Sequence, residues 1–130
     1  MRNSMRKSDL KLRLSELAFE VTQNSATEPP FTGKFFNFFE SGLYKCVCCN
    51  SVLFRSNDKF KSSTGWPSFH SSYNDECIEE VIDNSFGMKR VEVRCKSCKA
   101  HLGHVFDDGP EPFYKRYCIN SVALSFFKND

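Results

Sequence analysis

The most regular pattern in the chain is Val91-Glu92-Val93-Arg94-Cys95-Lys96-Ser97-Cys98-Lys99-Ala100-His101-Leu102-Gly103-His104-Val105-Phe106. Its first four residues alternate between apolar and charged side chains, which is the pattern of a half-buried β-strand. Its last five residues have the length and composition of a second strand. Between these segments lies Cys95-x-x-Cys98, a spacing at which two cysteines bind one metal ion. The stretch therefore predicts two strands joined by a metal-binding turn.

A second pair with the same spacing, Cys46 and Cys49, precedes it in the chain. Four thiolates suit a tetrahedral zinc ion and leave no open coordination position, so the four cysteines predict a structural metal. Residues 50–94 separate the pairs, a longer interval than in most zinc ribbons, and free or disulfide-bonded cysteines are the alternative. Neither His-x-Glu nor His-Glu-x-x-His occurs, so a catalytic zinc is not expected.

Short segments rich in β-branched and aromatic residues fill the chain from Gly42 onward, and turn residues separate them. The predicted strands are Leu43 to Cys46, Val52 to Phe54, Val91 to Arg94, Leu102 to Phe106, Tyr117 to Asn120 and Ala123 to Phe127. This succession predicts a mainly β domain with antiparallel strands. Glu79 to Ile82 is predicted as a short helical turn, and the aromatic run over residues 35–39 could be helix or strand.

The N-terminal part shows a different pattern. Leu10, Leu14 and Leu17 recur at the spacing of one helix face, behind Ser8-Asp9 as an N-cap candidate. This pattern predicts one amphipathic helix over residues 8–20 that covers part of a core. No apolar run follows the basic start, so we expect no secretion signal.

Cys118 stands apart from the paired cysteines, within Arg116-Tyr117-Cys118-Ile119-Asn120-Ser121. Alternate residues of a strand share one face, so Arg116, Cys118 and Asn120 would present a cation, a thiol and an amide together. A neighbouring cation favours the thiolate, which is the nucleophilic form of cysteine. We therefore expect a nucleophile here. The alternative is a buried, inert cysteine.

Two of the three histidines, His101 and His104, lie a short way upstream of Cys118. Their spacing would place them on opposite faces of a regular strand, but Gly103 permits a bulge that turns both toward one site. At least one could then act as an acid. The single tryptophan, Trp66, lies in Gly65-Trp66-Pro67 and would form a wall of an apolar pocket; a place in the core is the alternative.

Composition limits the possible functions. The chain has 130 residues, a net charge of +2 and no apolar run long enough to span a bilayer, which indicates one soluble domain. The balanced charge argues against nucleic acid as the main partner. The odd number of cysteines and their spacing favour a reduced, cytoplasmic setting. The 14 phenylalanines predict an aromatic core.

Several motifs together resemble the B class of methionine sulfoxide reductases, the methionine-R-sulfoxide reductases. The similarity covers about residues 20–127, which would be the catalytic core, with residues 1–19 as a helical extension of a single domain 1–130. The motifs are Thr27-Glu28-Pro29-Pro30-Phe31-Thr32-Gly33, Gly42-x-Tyr44-x-Cys46-x-x-Cys49, Leu53-Phe54, Lys59-Phe60, Gly65-Trp66-Pro67-Ser68-Phe69, Arg94-Cys95-x-x-Cys98, His101-Leu102-Gly103-His104-Val105-Phe106 and Arg116-Tyr117-Cys118-x-Asn120-Ser121.

The resemblance implies two antiparallel sheets in a sandwich or barrel-like domain, held by a structural zinc, and reduction of the R epimer of methionine sulfoxide. Cys118 would attack the sulfoxide sulfur and become a sulfenic acid, and His104, supported by His101, would protonate the oxygen. Trp66 and Phe106 would bind the substrate. Arg116 and Asn120 would hold the reacting groups. The implied partners are oxidised proteins or peptides and thioredoxin or another thiol, with the protein acting as a monomer.

One departure from the family pattern matters. Many members place a resolving cysteine just before the Gly-Trp-Pro run, and this chain has Thr64 there. Cys77 and Cys48 are candidate substitutes, and direct reduction of the sulfenic acid by an external thiol is equally open. A non-catalytic zinc-binding adaptor on the same β scaffold is the alternative function.

Overall fold

A computed structural model describes residues 6–129 of the chain. Within them the chain forms two α-helices, nine β-strands and three short 3₁₀ turns. The helices are α1 (Lys7–Arg13) and α2 (Glu16–Asn24). The strands are β1 (Gly42–Cys46), β2 (Val52–Arg55), β3 (Lys59–Phe60), β4 (Ser68–Phe69), β5 (Ile78–Asp83), β6 (Arg90–Cys95), β7 (His101–Phe106), β8 (Arg116–Ile119) and β9 (Leu124–Lys128). Neither helix combines the length and hydrophobicity that crossing a bilayer requires.

The strands form two antiparallel sheets. A three-stranded sheet has the order β2-β1-β9, and a six-stranded sheet has the order β3-β4-β8-β7-β6-β5. Every strand predicted from the sequence is present, with end positions that differ by at most one residue. The prediction of a mainly β domain with two antiparallel sheets is confirmed.

The predicted helical turn over Glu79 to Ile82 is wrong. These residues belong to β5, which pairs residue for residue with β6, from Ile78 opposite Cys95 to Asp83 opposite Arg90. The β-branched residues Val81 and Ile82 favour extended backbone, and the partner strand supplies the hydrogen bonds that a short isolated helix lacks. β5 is therefore an edge strand of the larger sheet.

The prediction of one helix over residues 8–20 is also wrong, because two helices meet at Ser15. The Ser15 hydroxyl accepts a hydrogen bond from the Ala18 N–H at 3.1 Å and caps α2. The predicted cap at Ser8-Asp9 does not exist, since α1 begins at Lys7 without a side-chain cap. The leucine stripe still covers the core, because Leu10 is fully buried, although Leu17 is exposed.

Aromatic side chains fill the core, as the composition predicts. Phe54 stacks on Phe69 with ring centroids 4.4 Å apart, and Tyr44 meets Phe69 and Phe35 edge to face. The run over residues 35–39 is neither helix nor strand but an irregular turn. Lys59 stabilises this turn, because its ammonium donates a hydrogen bond to the Phe38 carbonyl at 2.6 Å. Burial lowers the pKa of this ammonium to about 8.

Gly103 allows β7 and β8 to approach each other closely at the centre of the larger sheet. A Cβ at this position would overlap the backbone carbonyl oxygen of Cys118.

We therefore expect Gly103→Ala to lower the free energy of unfolding by about 2 kcal/mol and to move His104 away from Cys118. Urea denaturation together with a turnover assay checks this, with Gly87→Ala as the control. Gly87 lies in open space, although its φ of +69° adds some backbone strain. Unchanged stability in Gly103→Ala would contradict the prediction.

Candidate active site and metal centre

The four paired cysteines lie on two turns of similar geometry. Cys46 ends β1 and its carbonyl accepts the Asn50 N–H at 2.8 Å; Cys95 ends β6 and its carbonyl accepts the Lys99 N–H at 2.8 Å. Asn50 and Lys99 both adopt positive φ, 72° and 67°, which closes each turn. One turn belongs to each sheet, so the cysteine cluster joins the two sheets.

The geometry of this cluster suits a tetrahedral ion. The four sulfur atoms lie within 4.8 Å of one another, and the Cys46–Cys98 and Cys49–Cys95 pairs are each 3.6 Å apart. Thiolates about 2.3 Å from a tetrahedral metal would lie roughly 3.8 Å apart. Cys46, Cys49, Cys95 and Cys98 are therefore positioned to bind a metal ion, as the spacing predicts.

A separate cavity of about 400 Å³ lies against the larger sheet. The structure brings most of the predicted site residues together in its lining: Trp66, His104, Phe106, Arg116, Cys118 and Asn120. Thr27, Thr64 and Arg90 also line it and were not predicted as site residues. His101 is buried and does not line the cavity.

Strand register explains this assembly. His104 on β7 lies directly opposite Cys118 on β8, and Phe106 lies opposite Arg116. Residues paired in this way share one face of a sheet. The Arg116 guanidinium lies 4.4 Å from the Phe106 ring centroid and donates two hydrogen bonds to Asp108, at 2.8 and 3.1 Å. One sheet face thus presents the thiol, an imidazole and an oriented cation.

A bulge in β7 places the two histidines side by side. Gly103 pairs with Val93, but His101 pairs with the next residue, Arg94, so Leu102 is an extra residue. The ring centroids of His101 and His104 are 5.6 Å apart, nearly edge to face. The predicted bulge is present, at Leu102 beside this glycine, but only His104 lines the cavity, and His101 lies behind it.

Comparison with known proteins identifies the family. The sequence profile of the SelR domain matches residues 14–128. The chain is also similar to the curated peptide methionine sulfoxide reductase MsrB of Escherichia coli O139:H28 (strain E24377A / ETEC), with 49% identity over 126 residues, which are 97% of this chain and 92% of the relative. The chain belongs to the SelR domain family. The resemblance seen in the sequence motifs is therefore confirmed.

His101 and His104 of this SelR domain each contact a carboxylate that the sequence did not reveal. His104 Nε2 lies 2.8 Å from Asp83 Oδ2, and His101 Nδ1 lies 2.7 Å from Glu92 Oε2. Glu92 lies in a predicted strand but on the charged face that alternation assigns to solvent, so its burial could not be predicted. The contact of Asp83 could not be predicted either, because the sequence did not predict β5.

Electrostatics fix the proton positions in these pairs. The hydrogen bond from the Ser85 N–H holds the pKa of Asp83 well below its usual range, and the hydrogen bond with His104 makes the second-largest contribution. Burial raises the pKa of Glu92, but hydrogen bonds from Arg94 and His101 outweigh it and lower the pKa overall. Burial lowers the pKa of His101 more than Glu92 raises it. Both carboxylates are therefore ionised acceptors at neutral pH, and each histidine nitrogen that faces one carries a hydrogen.

Cys118 differs from the expectation that a neighbouring cation yields a thiolate. Burial raises the pKa of the Cys118 thiol, and Arg116 and a hydrogen bond with the Thr64 side chain lower it only in part. The charge of Glu28 adds to the increase. In this SelR domain the resting Cys118 is therefore a thiol at neutral pH, because desolvation of the thiolate outweighs the attraction of one guanidinium.

We expect alkylation of Cys118 by iodoacetamide to accelerate roughly tenfold per pH unit between about pH 6.5 and 8.5, because only the thiolate reacts and its fraction grows tenfold per unit below the pKa. Mass spectrometry of the Cys118 peptide measures the rate. Arg116→Gln should slow the reaction further, since the cation favours the thiolate. A rate that does not change with pH in this range would show an ionised thiol and contradict the prediction.

The segment around Glu28 connects the remaining cavity residues. The Trp66 indole N–H donates to the Glu28 carbonyl at 3.0 Å, and the Asn120 side-chain oxygen accepts the Glu28 N–H at 2.9 Å. Asn120 also donates to the Leu102 carbonyl at 2.9 Å. Trp66 is half-buried and lines the cavity, so it forms a wall and is not a core residue. The sequence placed Glu28 in a family motif without predicting this role.

Proposed function

We propose that this protein is a peptide-methionine (R)-S-oxide reductase, which reduces the R epimer of methionine sulfoxide, free or in proteins, to methionine. Oxidised methionine is repaired by one enzyme per sulfoxide epimer. The observation that carries the proposal is the position of Cys118 directly opposite His104 in the lining of the cavity, in a chain of the SelR domain family.

The reaction transfers one oxygen atom. The Cys118 thiolate attacks the sulfoxide sulfur, a proton from His104 reaches the sulfoxide oxygen, and the sulfur–oxygen bond breaks. The hydroxide that is released then attacks the Cys118 sulfur, the bond between the two sulfurs breaks, and methionine leaves. Cys118 is then a sulfenic acid, so the cysteine sulfur has lost the two electrons that the sulfoxide gains. Reduction by two thiols then returns Cys118 to a thiol and releases water and a disulfide.

The other cavity residues have supporting roles in this proposal. Trp66 and Phe106 provide the aromatic walls that contact the substrate's methylthio group. Arg116 faces the thiolate, and Asn120 orients the reacting groups. His101, held by Glu92 behind the cavity, supports the position of His104.

Zinc is the ion that we propose for the cysteine cluster. Four thiolates in tetrahedral arrangement are its usual structural ligand set, and they leave no position for substrate or water. Zinc bound there would be structural, since its ligands belong to both sheets and do not line the cavity of Cys118.

The sulfenic acid is reduced directly by an external thiol in our proposal. Thr64, beside Cys118, has no thiol to offer. Cys48 is buried, with its sulfur 3.6 Å from the Gln23 side-chain nitrogen. Cys77 packs on the core and its thiol donates to the Asn74 and Leu53 carbonyls. Neither of these sulfurs lines the cavity.

We therefore expect one turnover without reductant to consume one protein thiol per methionine formed, because no second cysteine closes a disulfide with Cys118. Thiol titration with Ellman's reagent in denaturant, after addition of one equivalent of the R epimer, gives this ratio. Cys77→Ser and Cys48→Ser should show the same ratio as the wild type. Loss of two thiols per methionine, restored to one by either substitution, would identify a resolving cysteine.

Turnover of the R and S epimers with dithiothreitol tests the proposed function, and thioredoxin as reductant tests the physiological partner. We expect activity with the R epimer alone. We also propose that the protein acts as a monomer in the cytoplasm on oxidised proteins. Absence of activity with either epimer in a folded, metal-loaded sample would contradict the function and favour the adaptor.

A further inference from the structure

Asp83 reaches the candidate active site from the edge of the larger sheet. It is the last residue of β5, and its Oδ2 atom lies 2.8 Å from His104 Nε2 and 3.3 Å from an Arg90 guanidinium nitrogen. Its other oxygen accepts the Ser85 N–H at 2.9 Å. Asp83 does not line the cavity, so it acts on a ligand there only through its neighbours.

This contact determines which nitrogen of His104 can meet a ligand. An ionised carboxylate only accepts hydrogen bonds, so Nε2 must carry a hydrogen. Among residues 6–129, Nδ1 of His104 has no hydrogen-bond partner. In the neutral ring Nδ1 then carries a lone pair and no hydrogen. In the imidazolium both nitrogens carry a hydrogen.

We propose that Asp83 is a positioning residue that holds the proton of His104 on Nε2 and aims Nδ1 at the sulfoxide oxygen. This inference rests on the proposed function. The proton that leaves the imidazolium is the one on Nδ1, and the ring that remains keeps its Nε2 hydrogen on Asp83. His104 therefore changes neither its orientation nor its Asp83 contact during proton transfer, and the ring is preorganised for the step.

The neighbouring pair, His101 and Glu92, uses the other ring nitrogen of histidine. His101 contacts Glu92 through Nδ1, and the Nε2 atom of His101 is buried without a protein partner among the described residues. Because His101 lies behind the cavity, its ring supports His104 and does not replace it. The Asp83 contact, and not the Glu92 contact, therefore determines which histidine nitrogen faces the substrate.

Kinetics of Asp83→Ala, Asp83→Asn and Asp83→Glu test this proposal. We expect Asp83→Ala to lower kcat by roughly ten- to a hundredfold with KM changed less than about twofold, because a misplaced ring impairs the chemical step and not substrate binding. The Asn and Glu variants keep an acceptor and should be intermediate. Glu79→Gln, which removes a carboxylate from the same strand, is the matched control and should retain wild-type kinetics.

Nitrogen-15 NMR of the histidine rings adds a readout that does not depend on turnover, with His104 assigned from its absence in His104→Gln. We expect the neutral ring to carry its hydrogen on Nε2, protected from solvent exchange, and to lose that protection in Asp83→Ala.

A hydrogen on Nδ1, a wild-type kcat in Asp83→Ala, or an effect confined to KM would overturn the proposal. Inactive wild-type protein with a protected Nε2 hydrogen would instead overturn the proposed function alone. Thermal denaturation separates a folding defect from a kinetic one, and Asp83→Asn, which has the same shape and keeps one of the two acceptor oxygens, keeps the test valid if Asp83→Ala unfolds.

Discussion

Replacement of Cys118 by serine is expected to lower turnover of R-methionine sulfoxide by at least about a thousandfold, because the step needs a sulfur that can accept an oxygen atom. A serine hydroxyl is a far weaker nucleophile and forms no counterpart of the sulfenic acid. The fold should persist, since serine is similar in size and the polar Thr64 side chain is at hand as a hydrogen-bond partner. Steady-state turnover with dithiothreitol, together with circular dichroism, measures both effects.

Cys77→Ser is the matched control for this substitution. Cys77 is half-buried like Cys118 but packs on the core and does not line the cavity. We expect it to retain turnover within about twofold of the wild type, because the proposed chemistry uses one cysteine. Substantial activity in Cys118→Ser, or a comparable loss in Cys77→Ser, would show that the nucleophile has been assigned to the wrong residue.

Loss of the metal is expected to unfold the protein. A structural zinc contributes about 10–16 kcal/mol to folding in small zinc domains, which matches or exceeds the total stability of about 5–15 kcal/mol of a typical domain. Cys46 belongs to the smaller sheet and Cys95 to the larger one, so the ion would join the two halves of the core. We therefore expect Cys95→Ser, and chelation of the wild type, to abolish cooperative thermal unfolding.

Cys48→Ser provides the control for the metal experiment. Cys48 lies between the two ligands of the first turn but is not one of the four converging sulfurs. This variant should keep one zinc per chain by elemental analysis and should still unfold cooperatively. A zinc-free wild type with an intact fold, or loss of zinc in Cys48→Ser, would contradict the assignment of the ligands.

The residues with distinctive chemistry could be identified from the sequence. The spacing within each cysteine pair is set by a tight turn, so it remains visible in the chain, and the structure closes both turns with a residue at positive φ. Cys118 and its neighbours were recognisable because alternation along a strand is also local. The bulge at Gly103 could be anticipated because a glycine separates two histidines.

Contacts between distant strands could not be identified in this way. Asp83 meets His104 only because β5 pairs with β6, and the local sequence of β5 resembled a helical turn. Glu28 contacts Asn120 and Val122 through side-chain and backbone groups more than 90 residues apart in sequence. Neither contact has a signature in the spacing of nearby residues.

The protonation state of Cys118 also depended on information absent from the sequence. The nearby Arg116 correctly indicated a force that favours the thiolate. The opposing desolvation depends on how deeply the thiol lies between β4 and β7, which is a property of the packed sheet. The contribution of Arg116 to the pKa of Cys118 could thus be predicted from the sequence, and the larger contribution of desolvation could not.

In the proposed reaction Cys118 reduces R-methionine sulfoxide and becomes a sulfenic acid. Its most direct test is a single turnover without reductant, followed by mass spectrometry of the Cys118 peptide and quantification of methionine. We predict one equivalent of methionine and a sulfenic acid on Cys118, detected as its dimedone thioether, whose mass gain over the thiol is that of dimedone less two hydrogens. Formation of methionine while Cys118 remains an unmodified thiol would show that Cys118 is not the reducing residue.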